Sequence, residues 1–182
     1  MTQPIRLASL VASPAAGFEE PFEMLAACHE RIQRMLALLA RLRAHIATHG
    51  ADTQAQQAAR DVLRYFDQAA PQHHRDEELH VFPPLLAAGD PRITPVVQQL
   101  LHEHAQMEAR WQPVRALLLR IAEGAVQQLA PADDAALDAF AGLYADHLRA
   151  EEEIAYPAAL LLLDAPAQQA MGEEMMRRRG VK

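Results

Sequence analysis

Apolar side chains recur every three or four residues through most of this chain. In the first such stretch, at about 19–48, Phe22, Leu25, Ile32 and Leu39 follow this spacing, which places them on one face of an α-helix. Glycine, proline and capping residues separate this stretch from others at about 53–88, 94–123, 133–163 and 166–179. The pattern predicts an all-α fold, an up-down-up-down four-helix bundle with a short C-terminal fifth helix.

Capping and helix-breaking residues refine these boundaries. Asp52 or Thr53 is expected to cap the second helix, and Thr94 is expected to cap the third, since proline follows it. Proline lacks a backbone N–H and crowds the preceding turn. We therefore expect Pro71 to kink the second helix and Pro113 to bend the third.

Length and composition narrow the class of protein. A chain of 182 residues suggests one domain. We place it at 18–180, after an N-terminal leader of irregular structure at 1–17. The net charge of −7 disfavours nucleic acid and anionic membranes as partners. No apolar run approaches the roughly 18 residues of a membrane span. A single cysteine, Cys28, excludes an internal disulfide, so we expect a cytoplasmic protein.

A polar motif occurs twice, 74 residues apart. His73-His74-Arg75-Asp76-Glu77-Glu78 recurs as His147-Leu148-Arg149-Ala150-Glu151-Glu152, and each copy is followed by an aromatic residue and proline. In both copies a histidine precedes a glutamate by four residues, so the two side chains share one helix face. The repeat predicts two helix pairs related by an approximate twofold axis.

The other two long helices each supply one more histidine. His29 precedes His73 by 44 residues, and His104 precedes His147 by 43. Carboxylates buried in a bundle are costly unless they are paired or bind metal. We therefore expect two cations, bridged by the carboxylates, with six ligands: His29, His73, Glu77, His104, His147 and Glu151. Such a nitrogen-rich set suits non-haem iron, with manganese or zinc as alternatives.

Neighbouring polar residues leave alternatives open. His74 and Glu78 are turned about 100° from the first copy of the motif, so His74 is expected to be exposed or to support a ligand. His104 is preferred over His102 by its spacing, and His80, His102 and Glu108 remain possible additional ligands. His45 lies about 24 Å from His29 along the helix, too far to join the same site.

These motifs, together with the closing Met176-Arg177-Arg178-Arg179-Gly180, resemble the hemerythrin-like family, also called the HHE cation-binding domain, over about 18–180. The resemblance implies a bundle around a non-haem di-iron centre. It also implies roles in oxygen or nitric oxide binding, iron sensing, or repair of iron–sulfur centres. Oxygen carriers of this family have His-x-x-x-His on the third helix, where this chain has Glu108, and they have Asp in place of Glu151. The chain is more similar to the bacterial iron-repair and sensing branch.

The expected function is that of a cytoplasmic non-haem di-iron protein that binds or senses a small diatomic, O₂ or NO, or handles iron. One alternative is a di-iron enzyme with peroxidase-like or NO-reducing activity. Another is a metal-dependent interaction or iron-donor protein. The sequence leaves the physiological ligand, enzymatic activity and oligomeric state open.

Overall fold

The structure is a computed structural model that describes residues 17–181, so the leader expected at 1–17 lies almost entirely outside the described residues. Helix α1 (Pro21–His49) is the first bundle helix. The second bundle helix contains three α segments, α2 (Thr53–Arg64), α3 (Ala70–Asp76) and α4 (Phe82–Ala88). They are joined by two π turns, Tyr65–Ala69 and Glu77–Val81.

Helix α5 (Thr94–Ala122) is the third bundle helix. The fourth consists of α6 (Pro131–Ala141), α7 (Tyr144–Ala150), a third π turn (Glu151–Ala155) and α8 (Tyr156–Leu162). Helix α9 (Ala165–Arg178) is the short fifth helix. The predicted all-α four-helix bundle is confirmed, and most predicted boundaries lie within about two residues of those observed.

Local sequence signals explain several of these boundaries. The Asp52 carboxylate accepts hydrogen bonds from the backbone N–H groups of Gln54 and Ala55, and thereby caps α2. Gly50 follows α1 with a φ of 75°, a conformation that glycine adopts without steric cost. Helix α5 continues through Pro113 without a break. The fourth bundle helix is interrupted at Gly142, which the apolar pattern did not predict.

The second and third π turns extend the internal repeat. They begin at Glu77 and Glu151, which are 74 residues apart. In each, a backbone N–H bonds to the carbonyl five residues earlier, from Phe82 to Glu77 and from Tyr156 to Glu151. Such turns are rare and often lie at functional sites. Both repeated glutamates therefore occupy a locally widened helix.

A proline explains the π turn that precedes the first copy of the repeated motif. The first π turn, Tyr65–Ala69, ends two residues before Pro71. The proline ring crowds the carbonyl four residues earlier, at Asp67, and wider winding relieves this crowding. A π turn thus lies directly before Pro71, where the sequence predicted a kink.

The buried apolar residues form two clusters. The larger includes Ile32, Leu39, Ile46, Val62, Phe66, Trp111, Leu118 and Phe140. The smaller includes Phe22, Leu25, Val81, Phe82, Leu85, Leu100, Ala159 and Met175. Along α1, His29 lies between Leu25 and Ile32, which belong to different clusters. The predicted polar site therefore lies between two apolar layers.

Helix α9 packs against the smaller cluster and against α1. Gly172 permits a close approach, because a Cβ atom there would lie 1.8 Å from the carbonyl oxygen of Phe18. Asp76, which is fully buried, accepts hydrogen bonds from Arg178 and Arg179. These ion pairs attach the C-terminal helix to the helix that carries His73 and Glu77.

Within residues 17–181, none of the helices combines the length and apolar character needed to cross a membrane. The expected cytoplasmic location stays a prediction.

Candidate metal centre

All six residues predicted as ligands lie together at the centre of the bundle. Helices α1, α3, α5 and α7 carry the histidines, and the second and third π turns carry the glutamates. Each side chain is almost completely buried: His29, His73, Glu77, His104, His147 and Glu151. Apart from Asp76, they are the only buried polar or charged residues in the described part of the chain.

Glu151 is surrounded by imidazole nitrogens. Its Oε2 lies 3.1 Å from Nε2 of His29, and its Oε1 lies 3.0 Å from Nε2 of His147. The Nε2 atom of His104 is 3.6 Å from the same Oε1. One carboxylate thus faces histidines from three bundle helices.

Glu77 occupies the corresponding position in the other half of the repeat. Its Oε1 is 3.6 Å from Nε2 of His73, and its Oε2 is 3.5 Å from Nε2 of His104. His104 therefore lies close to both carboxylates. Two carboxylates flanked by shared imidazoles can bridge two cations.

Many polar atoms at the centre have no hydrogen-bond partner within the protein. They are Nδ1 and Nε2 of His73, Nε2 of His104 and His147, Oε2 of Glu77, and both carboxylate oxygens of Glu151. Buried polar atoms are rarely left unpaired, because desolvation costs free energy. Imidazole nitrogens and carboxylate oxygens are ligands for iron, manganese and zinc. The residues therefore fit a cation centre.

The potential ligands form two clusters, in each of which the ligand atoms lie within 4.8 Å of one another. The first cluster contains His29, His73, Glu77 and Glu151. The second contains His74, His104 and His147. The second cluster contains no glutamate, but the Nε2 atoms of His104 and His147 lie 3.6 and 3.0 Å from Oε1 of Glu151, which belongs to the first.

His74, which the sequence predicted to be exposed or to support a ligand, belongs to the second cluster. It is half-buried, and its ring stacks on that of His104 with centroids 4.0 Å apart. The inward face of a helix in a bundle is wide enough for two consecutive residues to border one central site. His74 thus adds a fifth imidazole to the site.

Three further carboxylates orient the histidines. His29 donates from Nδ1 to Glu152 at 2.8 Å, and His104 donates from Nδ1 to Glu78 at 3.0 Å. His147 donates to Glu103 at 2.8 Å. Such bonds fix the imidazole so that Nε2 faces the metal position. The sequence analysis missed this role, although the second glutamate of each Glu-Glu pair also repeats at an offset of 74.

Tyr156 is a second residue whose role the sequence analysis missed. Its hydroxyl donates to Oε1 of Glu77 at 2.5 Å, and the hydroxyl oxygen is 2.9 Å from Nε2 of His29. The repeated motif pointed to this position, because an aromatic residue precedes proline in both copies, Phe82 in the first and Tyr156 in the second.

In the protein without cations, the surroundings shift the pKa values of the two glutamates in opposite directions. Burial and the nearby Glu151 raise the pKa of Glu77 well above its usual range. Burial also disfavours the charged form of Glu151, but the adjacent imidazoles of His104, His147 and His29 hold its pKa well below the usual range. The raised pKa favours the protonated form of Glu77 in the absence of cations, and a bound cation would favour its ionised form.

The residues left open by the sequence lie outside both clusters. His80 bonds to Glu174 at 2.7 Å, and His102 is exposed and bonds to Gln106. Glu108 is also exposed. At the end of α1, His45 bonds to Asp52 at 3.0 Å. None of the four belongs to the clusters that the described residues form.

A cavity of about 320 Å³ reaches the second cluster. Its wall includes His74 and His104, together with the polar residues Arg75, Glu78 and Glu108. The rest is largely apolar and includes Phe66, Trp111, Phe140 and Tyr144. The cavity gives a small molecule a route to His74 and His104, two of the three histidines of this cluster.

A four-helix bundle with two such clusters is the architecture of a cation-binding helical protein. Comparison with known proteins is consistent with this class. The family described as hemerythrin HHE cation binding domain matches residues 20–159, and the chain belongs to this family. An uncharacterized protein of Haemophilus influenzae (strain Rd) is 31% identical over 167 residues, which cover 92% of this chain and 94% of the relative.

Proposed function

We propose that this protein holds two iron ions between its four bundle helices and uses them to bind a small diatomic, O₂ or NO. The observation that carries the proposal is the pair of ligand clusters with unpaired buried atoms. Family membership supports cation binding, typically of iron. Bound ferrous iron supplies an electron-rich centre to which O₂ or NO can attach.

The six residues predicted from sequence have the following proposed roles. His29 and His73 would hold the first ion, and His104 and His147 would hold the second. Glu77 and Glu151 would supply their carboxylates to both. His74 completes the second cluster, and the supporting carboxylates hold the imidazoles of their partners in place.

The cavity supports ligand binding at the second ion. The second cluster consists of three histidines and borders the open cavity. The first cluster contains two histidines and both glutamates, and it contacts Tyr156. The apolar walls favour an uncharged diatomic over hydrated anions. We therefore propose that O₂ or NO reaches the second ion.

The cavity also supports a second candidate function, a peroxidase-like or NO-reducing enzyme. Its volume exceeds what a diatomic requires, so a peroxide could also enter. Iron donation, placement in the bacterial repair or sensing branch and a cytoplasmic location remain proposals from the sequence.

Iron content and ligand binding together test the proposed function. The protein reconstituted with ferrous iron under anaerobic conditions should contain about two ions per chain. Glu77→Ala and Glu151→Ala should each reduce this content, whereas Glu108→Ala should not, because Glu108 is exposed and outside both clusters. One ion or fewer in the reconstituted wild type would refute the two-ion centre.

Spectral titration with NO or O₂ then distinguishes the functions. Saturable binding without consumption supports a carrier or sensor. Sustained turnover of peroxide or NO supports the enzyme, and no spectral change with either gas would refute diatomic binding.

A further inference from the structure

The hydroxyl of Tyr156 lies among the atoms of the first cluster. Tyr156 is buried at the start of α8, directly after the third π turn. Its oxygen is 2.5 Å from Oε1 of Glu77 and 2.9 Å from Nε2 of His29. Both of those residues belong to the first cluster.

The distance from Tyr156 to His29 matches that between neighbouring ligands of one ion. Ligand atoms about 2.1 Å from a cation, at right angles to each other, are about 3 Å apart. The hydroxyl oxygen of Tyr156 is 2.9 Å from Nε2 of His29, which is close to this separation. Its distance to Oε1 of Glu77 is shorter, at 2.5 Å. Tyrosine oxygen is an established type of iron ligand in proteins.

The surroundings of His29 also place Tyr156 in the first cluster. Its Nδ1 atom donates to Glu152, and its Nε2 atom lies 2.9 Å from the phenol oxygen and 3.1 Å from Oε2 of Glu151. The phenol oxygen and a carboxylate oxygen of the cluster thus flank the same nitrogen, as two ligands of one ion would.

The repeat shows that this phenol distinguishes the two halves of the site. Phe82 corresponds to Tyr156 and packs beside His104, with ring centroids 5.6 Å apart. Tyr156 packs beside His29 in the same way, at 5.3 Å. An aromatic ring thus covers one histidine in each half, but only one of the two rings carries a hydroxyl.

We propose that Tyr156 is a ligand of the first ion, and that this phenolate makes the two ions chemically different. The inference rests on the proposed two-iron centre. The phenol O–H bond breaks as the oxygen–metal bond forms, and the proton passes to solvent water. The first ion is then enclosed by protein ligands, which leaves the second ion, beside the cavity, as the position for external ligands.

Visible absorption of the ferric protein tests this assignment. Ferric iron bound to phenolate gives a charge-transfer band, and resonance Raman excitation in that band enhances tyrosine ring vibrations. The chain has three tyrosines, Tyr65, Tyr144 and Tyr156. We expect the band in the wild type and its loss in Tyr156→Phe, with about two irons still bound per chain.

A double variant, Tyr65→Phe/Tyr144→Phe, leaves Tyr156 as the single tyrosine and provides the control. It should keep the band, which makes the test independent of whether Tyr156→Phe folds. Two bound irons without tyrosine vibrations in the wild type, or loss of the band in the double variant, would overturn the ligand role of Tyr156. Those results would leave the two-iron centre intact, whereas failure of the wild type to bind two irons would remove that centre itself.

Discussion

His104 donates a hydrogen bond from Nδ1 to Oε1 of Glu78, 3.0 Å away on the neighbouring bundle helix. The other half of the repeat contains the matching pair, His29 and Glu152, at 2.8 Å. In both pairs the supporting glutamate follows a glutamate of the central site by one residue. The repeat therefore encodes two functions in one Glu-Glu pair, because consecutive residues point to different neighbours of the same helix.

Loss of a supporting carboxylate should weaken metal binding without abolishing it. We expect Glu78→Ala and Glu152→Ala each to lower iron affinity about 10-fold to 100-fold, because the imidazole loses its fixed orientation. Competition with a chelator of known affinity measures the change. Glu153→Ala is the matched control, since Glu153 is exposed beside Glu152. Equal affinity in all three variants would contradict the supporting role.

His74 should contribute to the second ion. His74→Ala removes one of the three imidazoles of the second cluster, and we expect iron content to fall from about two ions per chain toward one. His102→Ala should retain both ions because His102 is exposed and outside the clusters. Elemental analysis after gel filtration measures both variants. Two tightly held ions in His74→Ala would show that His74 only packs against His104.

Metal removal should destabilise the bundle. Ligand at 100 times its dissociation constant stabilises the folded state by about 2.7 kcal/mol, which corresponds to a change of about 5–10 °C in Tm for a chain of this size. The metal-free protein should melt lower by at least this amount at neutral pH, since Glu77 and Glu151 lose their cations. Differential scanning calorimetry before and after verified chelation gives the difference. Superimposable transitions would argue against a buried metal centre.

The attachment of α9 should weaken in acid. Hydrogen bonding to Arg178 and His80 lowers the pKa of Glu174 from about 4.5 to about 2. A lowered pKa in the folded state means that Glu174 adds stability above pH 4.5 and loses this contribution as the pH falls toward 2. Because Glu174 is partly exposed, we expect about 1 kcal/mol or less.

Urea unfolding of the metal-free wild type and Glu174→Gln measures this contribution. The difference in unfolding free energy between them should shrink between pH 5 and pH 3. Glu173→Gln serves as the control because Glu173 is exposed and bonds only within its own helix, to Gln169. A difference that stays constant over this pH range would refute the role of Glu174.

The amino-acid sequence by itself determined the helical fold and the identity of the central residues. Apolar spacing is a local property, and a repeat of His-x-x-x-Glu at an offset of 74 can be read without coordinates. The helices are long and strongly amphipathic, so their existence follows from periodicity alone. The six central residues were named from this repeat and from the matching positions of His29 and His104.

Tertiary structure alone decided how these helices face one another. The π turns that begin at Glu77 and Glu151 widen the helix locally, so the rotation of the residues within and beyond them departs from 3.6 residues per turn. The bonds from His104 to Glu78 and from Tyr156 to Glu77 join residues on different helices. A single helix does not specify its rotation against another, since packing of the whole bundle fixes that angle.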